Sequence, residues 1–150
     1  MKSYRLIISL ICLSIFTIGY SQKYDAGLAK KLGADEYGMK SYMLVILKTG
    51  TNTTADKLVL DSLFRGHMNN IQRLSDQGKL IVAGPIRKNV NNYRGIFILD
   101  VKTKEEAQQL LQDDPTISEK VLVAEYYDWY GSAALPTYMR SHAKIEKKRH

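Results

Sequence analysis

The centre of the chain, KLIVAGPIRKNVNNYRGIFILDV at residues 79–101, decides the fold. KLIVAGP and RGIFILDV are short apolar runs rich in β-branched side chains, a pattern typical of strands. Gly84 and Pro85 end the first run, and the asparagines of RKNVNNY between the runs are typical of a turn. We therefore expect two neighbouring strands joined by a loop.

A helix and a further strand are predicted upstream of this pair. Thr53 and Asp56 approximate a capping box, so the helix should begin near residue 54 and continue to Gln77. Gly78 is the expected end of this helix, because glycine readily adopts the left-handed conformation that follows a last turn. SYMLVILKTG at residues 41–50 is a compact apolar run and predicts the first strand.

The same kinds of element follow the central pair. Thr103 and Glu106 form a capping box that opens a second helix, KEEAQQLLQD, which should end before Pro115. KVLVAEYYDWYG at residues 120–131 predicts a fourth strand. The resulting order β-α-β-β-α-β is that of a ferredoxin-like α+β fold, in which both helices lie on one face of a four-stranded antiparallel sheet.

The predicted strands are apolar at successive positions instead of alternating. MLVIL, LIVA and IFIL have this character, which is typical of strands covered on both faces. Helices cover only one face, and a large exposed apolar patch is rare in monomers. We therefore expect a homodimer in which the two sheets pack face to face.

The first residues, MKSYRLIISLICLSIFTIGYSQ at 1–22, are typical of a secretory signal peptide. Lys2 and Arg5 precede an apolar run from 6 to 18 that is short for a membrane span. An uncleaved anchor and lipidation at Cys12 are alternatives. Cys12 is the single cysteine, so a cleaved protein, exported to the periplasm or secreted, has neither disulfides nor thiolate chemistry.

The formal net charge of +7 is concentrated at the two ends of the chain. A leader segment at 23–39 precedes the predicted domain at 40–131, whose charge is close to neutral. Because nucleic-acid-binding proteins spread positive charge over a binding face, we expect no nucleic-acid partner. The segment 132–150 predicts an amphipathic helix from Pro136 that packs on the body or the partner subunit, with membrane-surface contact as an alternative. Its basic residues are Arg140, Lys144, Lys147, Lys148 and Arg149.

A histidine, His67, occupies the apolar face of the first predicted helix. At about 100° per residue it falls in the middle of a stripe facing the sheet, whereas Gly66 points nearly the other way, toward solvent. The stripe consists of Leu60, Phe64, Ile71 and Leu74. Asp114 continues the inner face of the second helix, directly before Pro115. An isolated buried carboxylate is unfavourable, so the two polar side chains are expected to meet.

Such a pair has the arrangement that a general base needs. A carboxylate on one ring nitrogen of a neutral histidine fixes the tautomer, and the other nitrogen is free to take a proton. The alternative is a structural histidine bonded to a carbonyl or to Tyr126 or Tyr127. Because the sequence after residue 22 has no cysteine and no pair of histidines on one element, we expect neither a metal nor a cofactor.

Three further residues are candidates for substrate binding. Trp129 could form an aromatic pocket wall or close the mouth of a cavity between helices and sheet, and its alternative role is packing at an interface. Gly84 and Pro85 could let a ligand approach His67 closely, and their alternative role is a turn.

The chain resembles the YCII-related family. The resemblance is carried by HMNNIQRLSDQGKLIVAGP, RGIFILDVKTKEEAQQLLQDDP and YYDWYG, and it covers nearly the whole chain after residue 22. It implies a ferredoxin-like fold paired into a dimeric α+β barrel, and a His–Asp active site that maps onto His67 and Asp114. Family members include dehydrochlorinases of chlorinated aromatics. A signal peptide departs from the typical cytoplasmic member.

The sequence therefore predicts a small exported homodimeric enzyme acting on an organic small molecule. His67 is the expected general base and Asp114 orients it, in an elimination, an isomerisation or a related proton abstraction. The alternative is a non-catalytic small-molecule-binding or assembly module in which the His–Asp pair only orders the core.

Overall fold

The computed structural model describes residues 23–53 and 56–147. The predicted signal peptide lies outside these residues. The elements are α1 (Ala26–Leu32), β1 (Met39–Thr49), α2 (Lys57–Asp76), β2 (Leu80–Pro85), β3 (Tyr93–Leu99), α3 (Lys104–Leu111), α4 (Pro115–Ser118), β4 (Leu122–Ser132), a 3-10 helix (Leu135–Tyr138) and α5 (Met139–Ile145). Within the described ranges, no helix combines the length and the apolar character that crossing a membrane requires.

The four strands form one antiparallel sheet in the order β2-β3-β1-β4. β1 is central, so that Met43 lies opposite Leu99 on one side and Asp128 on the other. This order confirms the predicted ferredoxin-like α+β fold.

The first main helix, α2, begins later than predicted. It starts at Lys57, and the cap is Asp56, whose side chain accepts hydrogen bonds from the backbone N–H groups of Leu58 and Val59. The prediction of a start near residue 54 was wrong, because Asp56 satisfies the free N–H groups itself. The end at Gly78 is confirmed by its φ of 67°.

The core lies between the sheet and α2 and α3. Apolar side chains from alternate positions of the central strands face the helices, as the pleat of a strand requires. The buried cluster includes Met43, Val45, Leu47, Leu74, Phe97, Leu99, Ala107 and Leu111. Burying each large apolar side chain contributes about 1.5–3 kcal/mol, so this face provides the main stabilisation of the fold.

The opposite face of the sheet is also apolar but only half-buried in the chain. Leu44, Ile46, Ile96 and Ile98 project there at the positions between the core residues. We call this surface the open face. The apolar run in each strand is thus explained by two apolar faces, and the covering of the open face by a second copy stays a prediction.

The second main helix, α3, ends at Leu111, so Asp114 is not part of it. Asp114 instead caps the short helix α4, and its side chain accepts a hydrogen bond from the N–H of Thr116. The prediction that Asp114 continues the inner face of the helix was wrong. A carboxylate one residue before a proline is well placed to cap, because proline is favoured at the first position of a helix.

The segment after β4 returns across the sheet. The Tyr138 hydroxyl donates a hydrogen bond to the carbonyl of Ile81, so the segment after β4 reaches β2 at the opposite edge. The predicted C-terminal helix is present as the 3-10 helix followed by α5. Ile145, the last residue of α5, is 78% exposed in the chain.

Candidate active site

His67 lies on the sheet-facing side of α2 and is only 8% exposed. Its imidazole stacks on Phe97 of β3, with ring centroids 5.9 Å apart and an interplanar angle of 26°. Phe64, one turn earlier on α2, meets the ring edge-on at 6.1 Å. The two phenylalanines restrict the plane of the imidazole, so its polar atoms point in defined directions.

Asp114 is fully buried and bonds directly to this histidine. Nδ1 of His67 lies 2.7 Å from Oδ2 of Asp114, which confirms that the two side chains meet. An ionised carboxylate only accepts hydrogen bonds, so Nδ1 is the donor. The neutral ring therefore carries its proton on Nδ1.

The other oxygen of Asp114 is held by Thr116. Oδ1 accepts hydrogen bonds from the Thr116 backbone N–H at 3.0 Å and from its hydroxyl at 2.6 Å. The Thr116 hydroxyl oxygen also lies 3.2 Å from Nδ1 of His67. One residue thus fixes the carboxylate and lines the side of the ring that donates to it.

These contacts keep the carboxyl group of Asp114 ionised. Burial raises its pKa most strongly, but the opposing effects together are larger. Hydrogen bonds from His67, Thr116 and Asn70, together with attraction to the charge of a protonated His67, lower the pKa of Asp114 below its usual value. The pair therefore combines a permanent acceptor with an imidazole donor.

Gly66 brings the two elements of the pair together. A Cβ atom at this position would lie 2.4 Å from Cγ of Pro115, much closer than a real Cβ atom comes to its neighbours. The prediction that Gly66 points into solvent was wrong, because α4 packs on that side of the helix. The missing side chain lets α2 approach the turn that carries Asp114.

The second ring nitrogen of His67 is free for chemistry. Nε2 has no hydrogen-bond partner within the described ranges. An Nε2 atom without a partner, opposite a carboxylate-held Nδ1, is the proton-accepting atom that a general base needs.

A shallow groove runs beside this site on the outer side of α2. Phe64, which touches the His67 ring, is part of its wall. The remaining lining residues are Asp61, Arg65, Met68 and Asn69. Phe64 is therefore shared by the groove and by the packing of the His67 ring.

Trp129 lies on a different face of the sheet from His67. It pairs with Tyr42 across β1 and β4, and the two rings are 5.6 Å apart. Phe97, on which His67 stacks, pairs with Val45, whose side chain points to the helix-covered face. Within the chain, the structure does not bring Trp129 to His67, and its role in binding stays a prediction.

Gly84 and Pro85 lie at the end of β2. They directly follow Ala83, which pairs with Phe97, and Gly84 itself pairs with Ile96 of the open face. A Cβ atom at Gly84 would meet no atom within 4 Å, so packing within the chain does not require glycine there. A role in binding for both residues stays a prediction.

Sequence reasoning also missed Asn70 and Thr116. Asn70 follows His67 by one helical turn on the same face, and that spacing was a signal that could have found it.

Among the residues that the structure describes, no group of three or more His, Cys, Asp or Glu side chains is arranged to hold a metal ion.

Comparison with protein-family models assigns the chain that carries this site to a family. The YCII-related domain matches residues 42–129, which include both His67 and Asp114. The chain belongs to the YCII-related family. The resemblance found in the sequence is thereby confirmed.

Among solved structures, this YCII-related chain is similar to the 5-chloro-2-hydroxyhydroquinone dehydrochlorinase TftG from Burkholderia phenoliruptrix AC1100, in complex with 2,5-dihydroxybenzoquinone. The sequence identity is 14% and the TM-score is 0.44, over 58% of this chain and 92% of that chain. No curated protein matches the chain.

Proposed function

We propose that this YCII-related protein is an enzyme that removes a proton from an organic small molecule. The observation that carries the proposal is the 2.7 Å contact between His67 Nδ1 and Asp114 Oδ2, with no hydrogen-bond partner for Nε2 among the residues that the structure describes. His67 is the general base and Asp114 orients it. The proposed substrate has an acidic C–H bond, because proton transfer by one placed base supplies only about 10²–10⁴-fold acceleration.

The proposed step is a proton transfer from a substrate carbon to Nε2 of His67. Nε2 of His67 takes the proton from the substrate carbon, and the electron pair of that C–H bond forms a new π bond. In an elimination a leaving group departs with its own electron pair from the neighbouring atom, and Nε2 then releases the proton to the departed anion or to water. In an isomerisation the proton returns from Nε2 to a different carbon. In both reactions Asp114 stabilises the imidazolium that exists between the two transfers.

We further propose that the protein works as an exported homodimer. The half-buried apolar open face supports dimerisation, because pairing it with a second copy would remove its side chains from water. The charged, apolar and small-residue regions of the first 22 residues support export.

A second function is a binding or assembly module in which the pair only orders the core. The observation that favours it is the packing of His67 between two phenylalanine rings, which leaves the residue 8% exposed. Both functions are compatible with the same fold. They differ in whether Nε2 of His67 exchanges protons with a bound molecule.

Deuterium incorporation separates the two functions, because it detects the proton transfer by itself and does not require the complete reaction. The protein is incubated in D2O with a panel of small carbonyl compounds, lactones and halogenated hydroxyhydroquinones, and the exchanged C–H positions are read by NMR. We expect at least one compound to exchange about 10²-fold faster with the unmodified protein than with His67→Gln.

His142→Gln is the matched control. His142 is an exposed histidine on α5, and its replacement should leave exchange unchanged. Exchange that persists in a folded His67→Gln protein would contradict the general-base role. Binding of a panel compound with no exchange by either protein would favour the binding module.

A further inference from the structure

Asn70 is a buried polar residue that the general-base proposal does not use. It is 5% exposed and lies on the sheet-facing side of α2, one turn after His67. Its side-chain Nδ2 donates to Oδ2 of Asp114 at 3.4 Å, the same oxygen that accepts from His67. An apolar residue would fill this position without a buried amide to satisfy, so the amide calls for an explanation.

Arg73 determines which way the Asn70 amide points. Nη2 of Arg73 donates to Oδ1 of Asn70 at 2.6 Å. Because a guanidinium has donors and no acceptor, the carbonyl end of the amide must face Arg73. The NH2 end is therefore directed at Asp114.

Arg73 is itself held against the end of α3. Its Nη2 lies 3.5 Å from the carbonyl of Leu110 and 3.8 Å from Oδ2 of Asp113. Both partners closely precede Asp114 in the chain. The arginine thus binds the segment that leads into the carboxylate and also orients the amide that contacts it.

We propose that Arg73 and Asn70 form a positioning arm that holds Oδ2 of Asp114 on the donor nitrogen of His67. Thr116 fixes Oδ1 of the carboxylate, and the arm fixes Oδ2, so the group cannot rotate away from the ring. Asn70 and Arg73 are positioning residues, since they act through Asp114. The arm's role in turnover rests on the proposed function, whereas its effect on the carboxylate does not.

The arm is tested by replacing Asn70 with an apolar residue of similar size. Asn70→Leu removes the donor and keeps the position filled. The titration of Asp114 is followed by 13C NMR of its carboxyl carbon. Because the bond from Asn70 lowers the pKa of Asp114, we expect its titration midpoint to rise in Asn70→Leu.

Asn69→Leu is the matched control, because Asn69 is exposed on the outer side of α2. This substitution should leave the midpoint unchanged. If Asn70 only joined α2 to α3, its replacement would change the thermal stability of the protein and leave the titration midpoint of Asp114 unchanged. An unchanged midpoint in Asn70→Leu overturns the arm, whatever the result of the deuterium exchange.

The exchange assay then measures the contribution of the arm to turnover. With a compound that the unmodified protein exchanges, we expect Asn70→Leu to lower kcat by about 3–10-fold with KM unchanged. Arg73→Met should lower kcat less, and the double variant should resemble Asn70→Leu alone, since both act through one contact.

The titration of Asp114 and the deuterium-exchange assay test the arm and the proposed function separately. A moved midpoint without exchange by the unmodified protein contradicts the proposed function and leaves the arm in place. Loss of exchange in His67→Gln together with unaltered kcat in Asn70→Leu contradicts the arm's role in turnover and supports the general base.

Discussion

Gly66 and Pro115 lie so close together that a Cβ atom at residue 66 would be 2.4 Å from Cγ of Pro115. This contact sets the distance between α2 and the turn that follows α3. Since His67 and Asp114 are the next residues to this contact in their respective segments, the approach of two backbones determines whether the pair forms.

The first prediction concerns this contact. Glycine-to-alanine changes inside helices normally stabilise a protein by about 0.5–1 kcal/mol. Gly66→Ala should instead lower the free energy of unfolding by about 1–3 kcal/mol, because the methyl group displaces Pro115. Urea unfolding provides the measurement, with the exposed Ser62→Ala in the same helix as control. A more stable Gly66→Ala protein would contradict the contact.

A second prediction follows from the lowered pKa of Asp114. A carboxyl group whose pKa is lower in the folded than in the unfolded state stabilises the fold above its unfolded pKa. That stabilisation is lost as the pH falls through the folded pKa. Asp114→Asn should therefore cost about 2 kcal/mol at pH 7.

The difference in free energy of unfolding between Asp114→Asn and the unmodified protein should shrink steadily below about pH 4. In that range the carboxyl group of Asp114 becomes protonated in the unfolded chain. Urea unfolding at a series of pH values measures it. Asp113→Asn is the matched control, because Asp113 is largely exposed. A difference in free energy of unfolding that does not depend on pH would contradict a lowered pKa of Asp114 in the folded protein.

The third prediction concerns Tyr42, which is buried under Trp129 on the open face. Burial, and to a lesser extent the charge of Asp100, raise the pKa of Tyr42 to about 12. Its hydroxyl donates to the carbonyl of Ser132 at 2.8 Å. The stabilisation from this group is complete below about pH 10, the pKa in an unfolded chain, and is lost as the pH rises through about 12.

Tyr42→Phe should therefore lower the free energy of unfolding by about 1 kcal/mol at neutral pH and flatten its decline above pH 10. Tyr37→Phe is the control, because Tyr37 is 77% exposed. Equal alkaline profiles for Tyr42→Phe and the unmodified protein would contradict the role assigned to the hydroxyl.

The fourth prediction concerns the open face. A lysine at its centre places a charge where the proposed homodimer needs apolar contact. Ile98→Lys should therefore convert a dimer into a monomer, as measured by sedimentation velocity, while the far-UV circular dichroism is retained. Val90→Lys is the control at a loop position that is 96% exposed. A monomeric unmodified protein at micromolar concentration would contradict the dimer.

The element order could be predicted because each strand and helix carries its own period and its own end signals. Gly78, for example, ends α2 through local backbone conformation alone. The meeting of His67 and Asp114 was also predicted, although Asp114 lies after α3 and not on its inner face. Local pattern was sufficient for the order of the elements.

Other features depend on contacts that no local pattern contains. Asp114 caps α4 because its side chain competes successfully for the free N–H groups after α3, and the helical period does not reveal that competition. Gly66 faces α4, an element of four residues that the period did not indicate. The hydrogen bonds of Asn70 require the position of a carboxylate that is distant in sequence. The homodimer and the export remain predictions.

The most direct test of the His–Asp pair is the protonation of the two ring nitrogens of His67. Long-range 1H–15N correlation spectra of the 15N-labelled protein distinguish a protonated from a bare nitrogen in the neutral imidazole. We predict a proton on Nδ1, facing Asp114, and a bare Nε2. A neutral ring that carries its proton on Nε2 would contradict the general-base role, because such a ring has no atom positioned to accept the proton of a substrate.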